Sequence, residues 1–439
     1  MPEDLEHGRP AWPSSELRYM PHLDSLRALA VFGVLVEHFW RPSFAVVPLG
    51  HVGVRLFFVL SGYLITRILL QSRESIDAGR VTLSRAVKSF YLRRVLRLVP
   101  GFYTVLLLVA MLDVLHARQT LPWHASYLTN VYVTFKANPW PLSPYWSLAV
   151  EEQFYLVWPC LIFLLPLRWI PRLLIGLCVA GPAFRLVIGA WATSANWAVY
   201  LPPISMETST SYSWGAWLLP GAVDALGLGA LLAWYSAHRP QVLTARASFP
   251  SIAGVTGAVL FAVTMICRVK GIAPWAVETG LPLAVALLSV AAVYRGSRGL
   301  GGVARTIMGA DPLVYLGKIS YGIYLWHSYF VGWAGPILSL LPWAVIRVGI
   351  VPTAIGAGFT WWFARATGRS RLVGPSSALT SCAVALLAVA AARSFGLVSP
   401  FQSEEFFLFV VRCSGAVFAA VLSWELLERP INGMKRRLE

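Results

Sequence analysis

The chain has 439 residues, of which 57% are hydrophobic and 13% are charged, and its mean hydropathy is +0.63. A composition this apolar excludes a soluble globular protein and predicts a polytopic membrane protein. The net charge of +16 does not indicate a nucleic-acid partner, because the basic residues are spread over short loops and do not gather in one folded domain. Anionic membrane lipids are the expected partners of these loops.

Hydropathy predicts an all-α bundle of about 10–12 transmembrane helices with no separate soluble domain. The longest loops between predicted spans run to about thirty residues, which is too short for an independent core. We expect a cytoplasmic N-terminal segment (1–22), one transmembrane domain (23–428) and a basic cytoplasmic tail (429–439). The predicted spans lie near 24–42, 50–70, 97–115, 146–166, 173–190, 215–235, 250–267, 275–294, 313–334, 340–364, 377–396 and 405–427.

Basic residues also predict the orientation of the chain. Most arginines and lysines fall on the inner loops when the N-terminus is placed in the cytoplasm. This pattern predicts an inner (plasma) membrane protein with both termini cytoplasmic. The first twenty residues are polar and acidic, unlike a cleaved signal peptide, so the first helix is expected to stay in the protein.

The sequence shows no motif for a metal or a tightly bound nucleotide. Its five cysteines form no CxxC pair and fall mostly in apolar spans. It has neither a GxxxxGK[ST] phosphate loop nor a Cys/His cluster with metal-ligand spacing. We therefore expect no metal site and no permanently bound cofactor.

The first predicted helix holds Asp24, Arg27, Glu37 and His38 in a stretch otherwise suited to lipid. A charge near the bilayer centre costs about 2.5–3.5 kcal/mol, so these residues indicate a protein-lined or hydrated interior. Arg27 and His38 are eleven residues apart, which places them within about 20° of one helix face and about 16 Å apart along the axis. The alternative is that Arg27 reaches the membrane interface and His38 is a satisfied histidine of the bundle.

A basic run, FYLRRVLRLVP at 90–100, stands at the predicted cytoplasmic mouth of the third span. Arg94 and Arg97 are three residues apart, so both fall on one helical face and could hold one phosphate group or two neighbouring ones. The alternative interpretation is a topology signal at the membrane edge.

Two adjacent carboxylates, Glu151 and Glu152, occur in WSLAVEEQFY near the start of the fourth span. Neighbouring residues on a helix point about 100° apart, so at most one of the two easily faces the bundle interior. The alternative is that both lie at the helix N-terminus, where the helix dipole favours negative charge.

Two further segments mix small and aromatic residues, GVRLFFVLSGYLI at 53–65 and YLGKISYGIYLWH at 315–327. Ser61 and Gly62 in the first segment would allow a close approach between helices. His327 ends the second segment, and a single histidine of this kind is more often structural than catalytic.

The chain resembles the membrane-bound acyltransferase 3 family in five motifs taken in order, LDSLRALAVFGVLVEH, GVRLFFVLSGYLI, YLRRVLRLVP, WSLAVEEQFY and YLGKISYGIYLWH. The resemblance covers about residues 20–330, with a family-like LERP ending at 427–430. It implies an integral membrane O-acyltransferase, expected to be an O-acetyltransferase. Such an enzyme moves an acyl group from cytoplasmic acyl-CoA, its co-substrate, to a hydroxyl of a saccharide or lipid-linked glycan.

The resemblance also implies roles for individual residues. His38 has the position of the family's essential histidine and would act as general base or carry the acyl group itself. Arg27 falls in the same motif, and the two arginines of the RxxR run would hold the phosphates of acetyl-CoA or polarise its thioester. Glu152 matches the family's acidic position and would orient the imidazole or the acceptor, with Glu151 as the alternative.

The chain departs from the family pattern at two points. Glu37 stands directly before the histidine, where the family commonly has a neutral residue, and about a hundred residues separate His327 from the ERP ending. Some members carry a fused periplasmic esterase-like domain that is not seen in this sequence, so we expect direct transfer by the membrane domain or a separate periplasmic partner.

The competing function is a secondary transporter or flippase, which would move its solute intact.

Overall fold

The computed structural model describes residues 19–40, 47–112, 114–136, 141–194, 214–245, 248–339 and 400–434. Within these ranges every regular element is a helix, which confirms the predicted all-α class. The α-helices are α1 (Pro21–Phe39), α2 (Leu49–Asp77), α3 (Leu83–Leu112), α4 (Leu121–Ala125), α5 (Thr129–Phe135), α6 (Trp146–Leu164), α7 (Ile170–Ser194), α8 (Trp214–Trp217), α9 (Leu219–His238), α10 (Pro240–Thr244), α11 (Phe249–Lys270), α12 (Pro274–Arg298), α13 (Gly302–Met308), α14 (Asp311–Lys318), α15 (Ser320–Ser339), α16 (Pro400–Ser423) and α17 (Arg429–Met434). Short 3-10 segments lie at Val114–Gln119, Ser143–Tyr145 and Leu167–Trp169, and a π-helical turn lies at Trp424–Glu428.

Seven helical segments in the described part of the chain are long and apolar enough to cross a membrane, so the protein is a multi-pass membrane protein. The seven are Leu49–Asp77, Leu83–Leu112, Ser143–Leu164, Leu167–Trp191, Phe249–Lys270, Pro274–Arg298 and Leu408–Gly433. α1 packs with them but carries more charge than a simple span. The predicted spans at 340–364 and 377–396 lie outside the described residues, so the total of about 10–12 stays a prediction.

The third span differs from its prediction at its first residue. Hydropathy placed the start near 97, whereas α3 begins at Leu83. Residues 83–96 contain three leucines and three arginines, which favour helix, and they contain neither glycine nor proline. The helix therefore continues beyond its apolar part, and the whole RxxR run lies inside α3.

The centre of the bundle is the contact between α2 and α9. A Cβ atom added at Gly62 would lie 2.0 Å from the carbonyl oxygen of Leu226, and one added at Gly229 would lie 2.1 Å from that of Val59. Only glycine fits at such distances, which confirms the predicted close approach at Gly62. In contrast, α7 and α11 lie at the periphery and expose apolar side chains, as helices facing lipid do.

A buried ion network ties α2, α7 and α9 together. Arg55 Nη1 lies 3.0 Å from Asp224 Oδ1, and Arg185 Nη2 lies 2.8 Å from Asp224 Oδ2. All three side chains are almost completely buried. Arg55 and Arg185 also both donate to the carbonyl oxygen of Gly221. One carboxylate thus compensates two guanidinium groups in the interior of the bundle.

We predict that Asp224→Asn destabilises the folded protein by about 3–5 kcal/mol, because it leaves two buried arginines without their shared carboxylate. The measurement is the thermal midpoint and the monodisperse yield of the purified protein in detergent. Asp77→Asn is the matched control, since Asp77 is 59% exposed and lies 3.9 Å from Arg73. Equal thermal midpoints for the two variants would show that the buried carboxylate of Asp224 stabilises the fold no more than the exposed carboxylate of Asp77 does.

Candidate active site

An open cavity lies where α1, α2, α3, α6 and α15 meet. It brings together four of the ionisable residues that the sequence motifs singled out: Arg27, Arg94, Arg97 and Glu151. Its polar wall contains Arg27, Arg94, Arg97, Ser61, Glu151 and Tyr155. Phenylalanine, leucine and tyrosine side chains supply the rest of the wall, so these polar groups face an otherwise apolar space.

Arg27 is held on the cavity wall by an acid one turn earlier in α1. Its Nη1 donates to Asp24 Oδ1 over 2.7 Å, and the Tyr19 hydroxyl donates to Asp24 Oδ2 over the same distance. The side chain of Arg27 is 20% exposed and lines the cavity. Asp24 therefore both compensates and orients this guanidinium group.

Arg94 and Arg97 both line the cavity, as their three-residue spacing predicts. The guanidinium of Arg94 lies over the ring of Tyr155, with Cζ 4.6 Å from the ring centroid. Among the described residues, neither arginine forms an ion pair with a carboxylate. This part of the cavity is therefore electropositive and suited to a phosphate or another anion.

The acid on the cavity wall is Glu151. The Tyr155 hydroxyl lies 2.9 Å from Glu151 Oε2 and 2.9 Å from Ser61 Oγ, so the three side chains form one polar group. Glu151 is the sixth residue of α6, whose first turn contains no acid, so the helix-dipole alternative was wrong. The sequence ranked Glu152 before Glu151, but Glu152 is not among the residues that line this cavity.

His38 lies in the last turn of α1 and pairs with His327 of α15. The Nδ1 atom of His38 is 3.0 Å from Nε2 of His327, and the planes of the two rings are inclined by 21° with centroids 5.0 Å apart. The sequence treated His327 as structural and missed this pair. No local pattern relates the two histidines, because 289 residues separate them. The one signal in the sequence was that His327 ends a motif.

Neither imidazole is among the cavity-lining groups, but Tyr324 connects the pair to the cavity. Its side chain lines the cavity, its ring lies 5.2 Å from that of His327, and its carbonyl oxygen is 2.6 Å from His327 Nδ1. The Tyr324 hydroxyl donates to the carbonyl oxygen of Pro144, which fixes α15 against the start of α6. The histidine pair therefore lies directly behind one wall of the arginine-lined cavity.

The acid before His38 has a separate structural contact. Glu37 Oε2 accepts a hydrogen bond of 2.7 Å from the backbone N–H of Gly50, in the first turn of α2. This hydrogen bond between α1 and α2 gives a structural reason for an acid at position 37, where the family commonly has a neutral residue. Within the described ranges, no group of three or more His, Cys, Asp or Glu side chains is arranged to hold a metal ion.

Comparison with known proteins shows one family. A family model described as an acyltransferase domain, that of acyltransferase 3, matches residues 20–362. The peptidoglycan O-acetyltransferase OatA of Listeria monocytogenes is 32% identical over 343 residues, which is 74% of this chain and 51% of that protein. A putative O-acetyltransferase of Staphylococcus aureus is 29% identical over 355 residues, which is 73% of this chain and 54% of that protein.

A third relative, the putative peptidoglycan O-acetyltransferase YrhL of Bacillus subtilis, is 26% identical over 376 residues, covering 79% of this chain and 54% of that protein. The chain thus spans about half the length of the curated relatives it matches. No solved structure matches it significantly. Because the family model covers most of the sequence, the chain belongs to the acyltransferase 3 family.

Proposed function

We propose that this chain is a membrane O-acetyltransferase that moves an acetyl group from acetyl-CoA to a hydroxyl of a cell-envelope saccharide. The family supports acyl transfer, and the names of the relatives support acetyl as the group and a cell-wall polymer as the acceptor. The observation that carries the proposal is the cavity with three arginines, of which Arg94 and Arg97 form no ion pair with a carboxylate among the described residues. The acceptor is a polysaccharide or a lipid-linked glycan.

The arginines of the cavity would hold the donor. Coenzyme A carries several phosphates at one end and a thioester at the end of a long flexible arm. Guanidinium groups bind phosphates through paired, charge-assisted hydrogen bonds. Arg27 and His38 lie on one helix and are separated by about 16 Å along its axis, which is of the order of an extended phosphopantetheine arm. A donor held at the arginines would thus present its thioester near the histidine pair.

His38 would act as the general base. The acceptor hydroxyl gives its proton to His38 while its oxygen forms a bond to the thioester carbonyl carbon. The carbon–sulfur bond then breaks, and the coenzyme A thiolate leaves and takes up that proton. Glu151, with Tyr155 and Ser61, would position the reacting groups inside the cavity, and the proximity of donor and acceptor would supply much of the rate.

The first prediction from the proposed function concerns His38. Membranes containing the native chain are expected to transfer labelled acetyl from acetyl-CoA to a glycan or lipid fraction and to release free coenzyme A in step. In His38→Ala membranes with the same amount of folded protein, transfer should fall by at least about 10²-fold, because the general base is lost. Equal transfer by both would overturn this role for His38. Uptake of intact solute without release of coenzyme A would instead indicate a transporter or flippase.

The donor site gives a second prediction. Arg97→Gln should raise the KM for acetyl-CoA by about 10- to 100-fold, because one charge-assisted contact to phosphate contributes about 1.5–3 kcal/mol. Steady-state kinetics in detergent or nanodiscs would measure this change. Arg172→Gln is the control, since Arg172 lies over the ring of Trp169 and, in the described part of the chain, lines no cavity that contains other basic side chains, and its KM should stay within about threefold. If both variants raised the KM equally, general electrostatic attraction would replace a defined phosphate site.

The acid on the cavity wall gives a third prediction. Glu151→Gln should lower kcat by about 10²-fold, because the carboxylate that joins Tyr155 and Ser61 is removed from the cavity. Glu152→Gln should lower kcat by less than about tenfold, because that side chain lies off the cavity wall. A larger loss with Glu152→Gln would reverse the assignment between these neighbours.

A further inference from the structure

We propose that His327 is a positioning residue that holds His38 in the tautomer with its lone pair on Nε2. The inference rests on the proposed function, because it concerns the general base of the same reaction. It begins from a chain of three groups: the carbonyl oxygen of Tyr324, the imidazole of His327 and the imidazole of His38.

The direction of each hydrogen bond follows from the first group of that chain. A carbonyl oxygen can only accept a hydrogen bond, so the Nδ1 atom of His327, 2.6 Å away, must carry a proton and donate it. In a neutral imidazole the other nitrogen then has a lone pair, so Nε2 of His327 accepts. Its partner, Nδ1 of His38, is 3.0 Å away and must donate. The lone pair of neutral His38 is therefore on Nε2.

The surroundings of His327 keep it neutral. Its side chain is completely buried, and the rings of Phe39 and Tyr324 lie 6.4 Å and 5.2 Å from its own. It forms no ion pair with an acid among the described residues. A buried imidazolium without a paired charge is unfavourable, whereas the neutral ring satisfies both of its nitrogens.

This arrangement would matter most during proton transfer. When Nε2 of His38 takes the proton of the acceptor hydroxyl, the ring becomes positively charged. Its bond from Nδ1 to His327 then becomes a charge-assisted hydrogen bond, which is stronger than a neutral one. The hydrogen bond between the two rings also restricts the rotation of His38. His327 would thus orient the base and stabilise its charged form without touching donor or acceptor.

The activity test compares His327→Leu with His327→Gln. Leucine removes the acceptor, so kcat should fall by about 10²-fold while the KM for acetyl-CoA stays within about threefold. The glutamine oxygen can still accept from Nδ1 of His38, so Gln should recover at least about a third of the native kcat. His124→Gln is the control, because His124 is equally buried and burial lowers its pKa to about 4, yet it lies away from the site. Its kcat should be native at equal amounts of folded protein.

The second test reads the tautomer directly, by nitrogen-15 NMR of histidine-labelled protein in nanodiscs, with His38→Ala used to assign the signal. Native protein should show His38 protonated on Nδ1 and unprotonated on Nε2, and His327→Leu should shift population toward protonated Nε2. If native membranes transfer acetyl and His38→Ala membranes do not, but His327→Leu keeps both the native kcat and the native tautomer, this inference is wrong and the proposed function stands. If native membranes transfer no acetyl, the proposed function fails, and the tautomer measurement still decides whether His327 positions His38.

Discussion

An ionised side chain inside a membrane bundle is costly unless another group of the protein compensates its charge. The arginines of this chain meet that constraint in different ways. Those of α2 and α7 share the carboxylate of Asp224, which joins three helices at the centre. Arg27 is compensated by Asp24, one turn away. Arg94 and Arg97 form no ion pair with a carboxylate among the described residues, and both face the cavity in which a donor would bind.

The arginines of the cavity and the histidine pair are neighbours in the structure. Tyr324 separates them, with its side chain on the cavity and its carbonyl oxygen on His327. α1 also links the cavity to the histidine pair, because it carries both Arg27 and His38. The arginines of the cavity are placed by α1 and α3, and the histidine pair by α1 and α15. The packing of these three helices therefore sets the distance between the arginines and the histidine pair.

The sequence predicted what lies within a helix and missed what lies between helices. Arg27 and His38 fall on one helix as expected, because a repeat of 3.6 residues relates positions along a single element. The contact between His38 and His327 spans 289 residues and has no such periodicity. The choice between Glu151 and Glu152 also failed to follow from sequence. The 100° offset shows that only one easily faces inward, but the rotation of α6 about its axis is set by tertiary packing.

The glycine contact at the centre of the bundle has a consequence for how a substrate enters. With Gly62 and Gly229 in backbone contact across the interface, α2 and α9 can neither slide nor rotate past one another without a clash. Ser61, next to Gly62, therefore belongs to an immobile side of the cavity. The opposite side is α3, whose apolar stretch is 28% buried compared with 67% for α2. Of α2, α3 and α6, which all line the cavity, α3 therefore has the least packing to lose on moving outward, and it is the helix that carries Arg94 and Arg97.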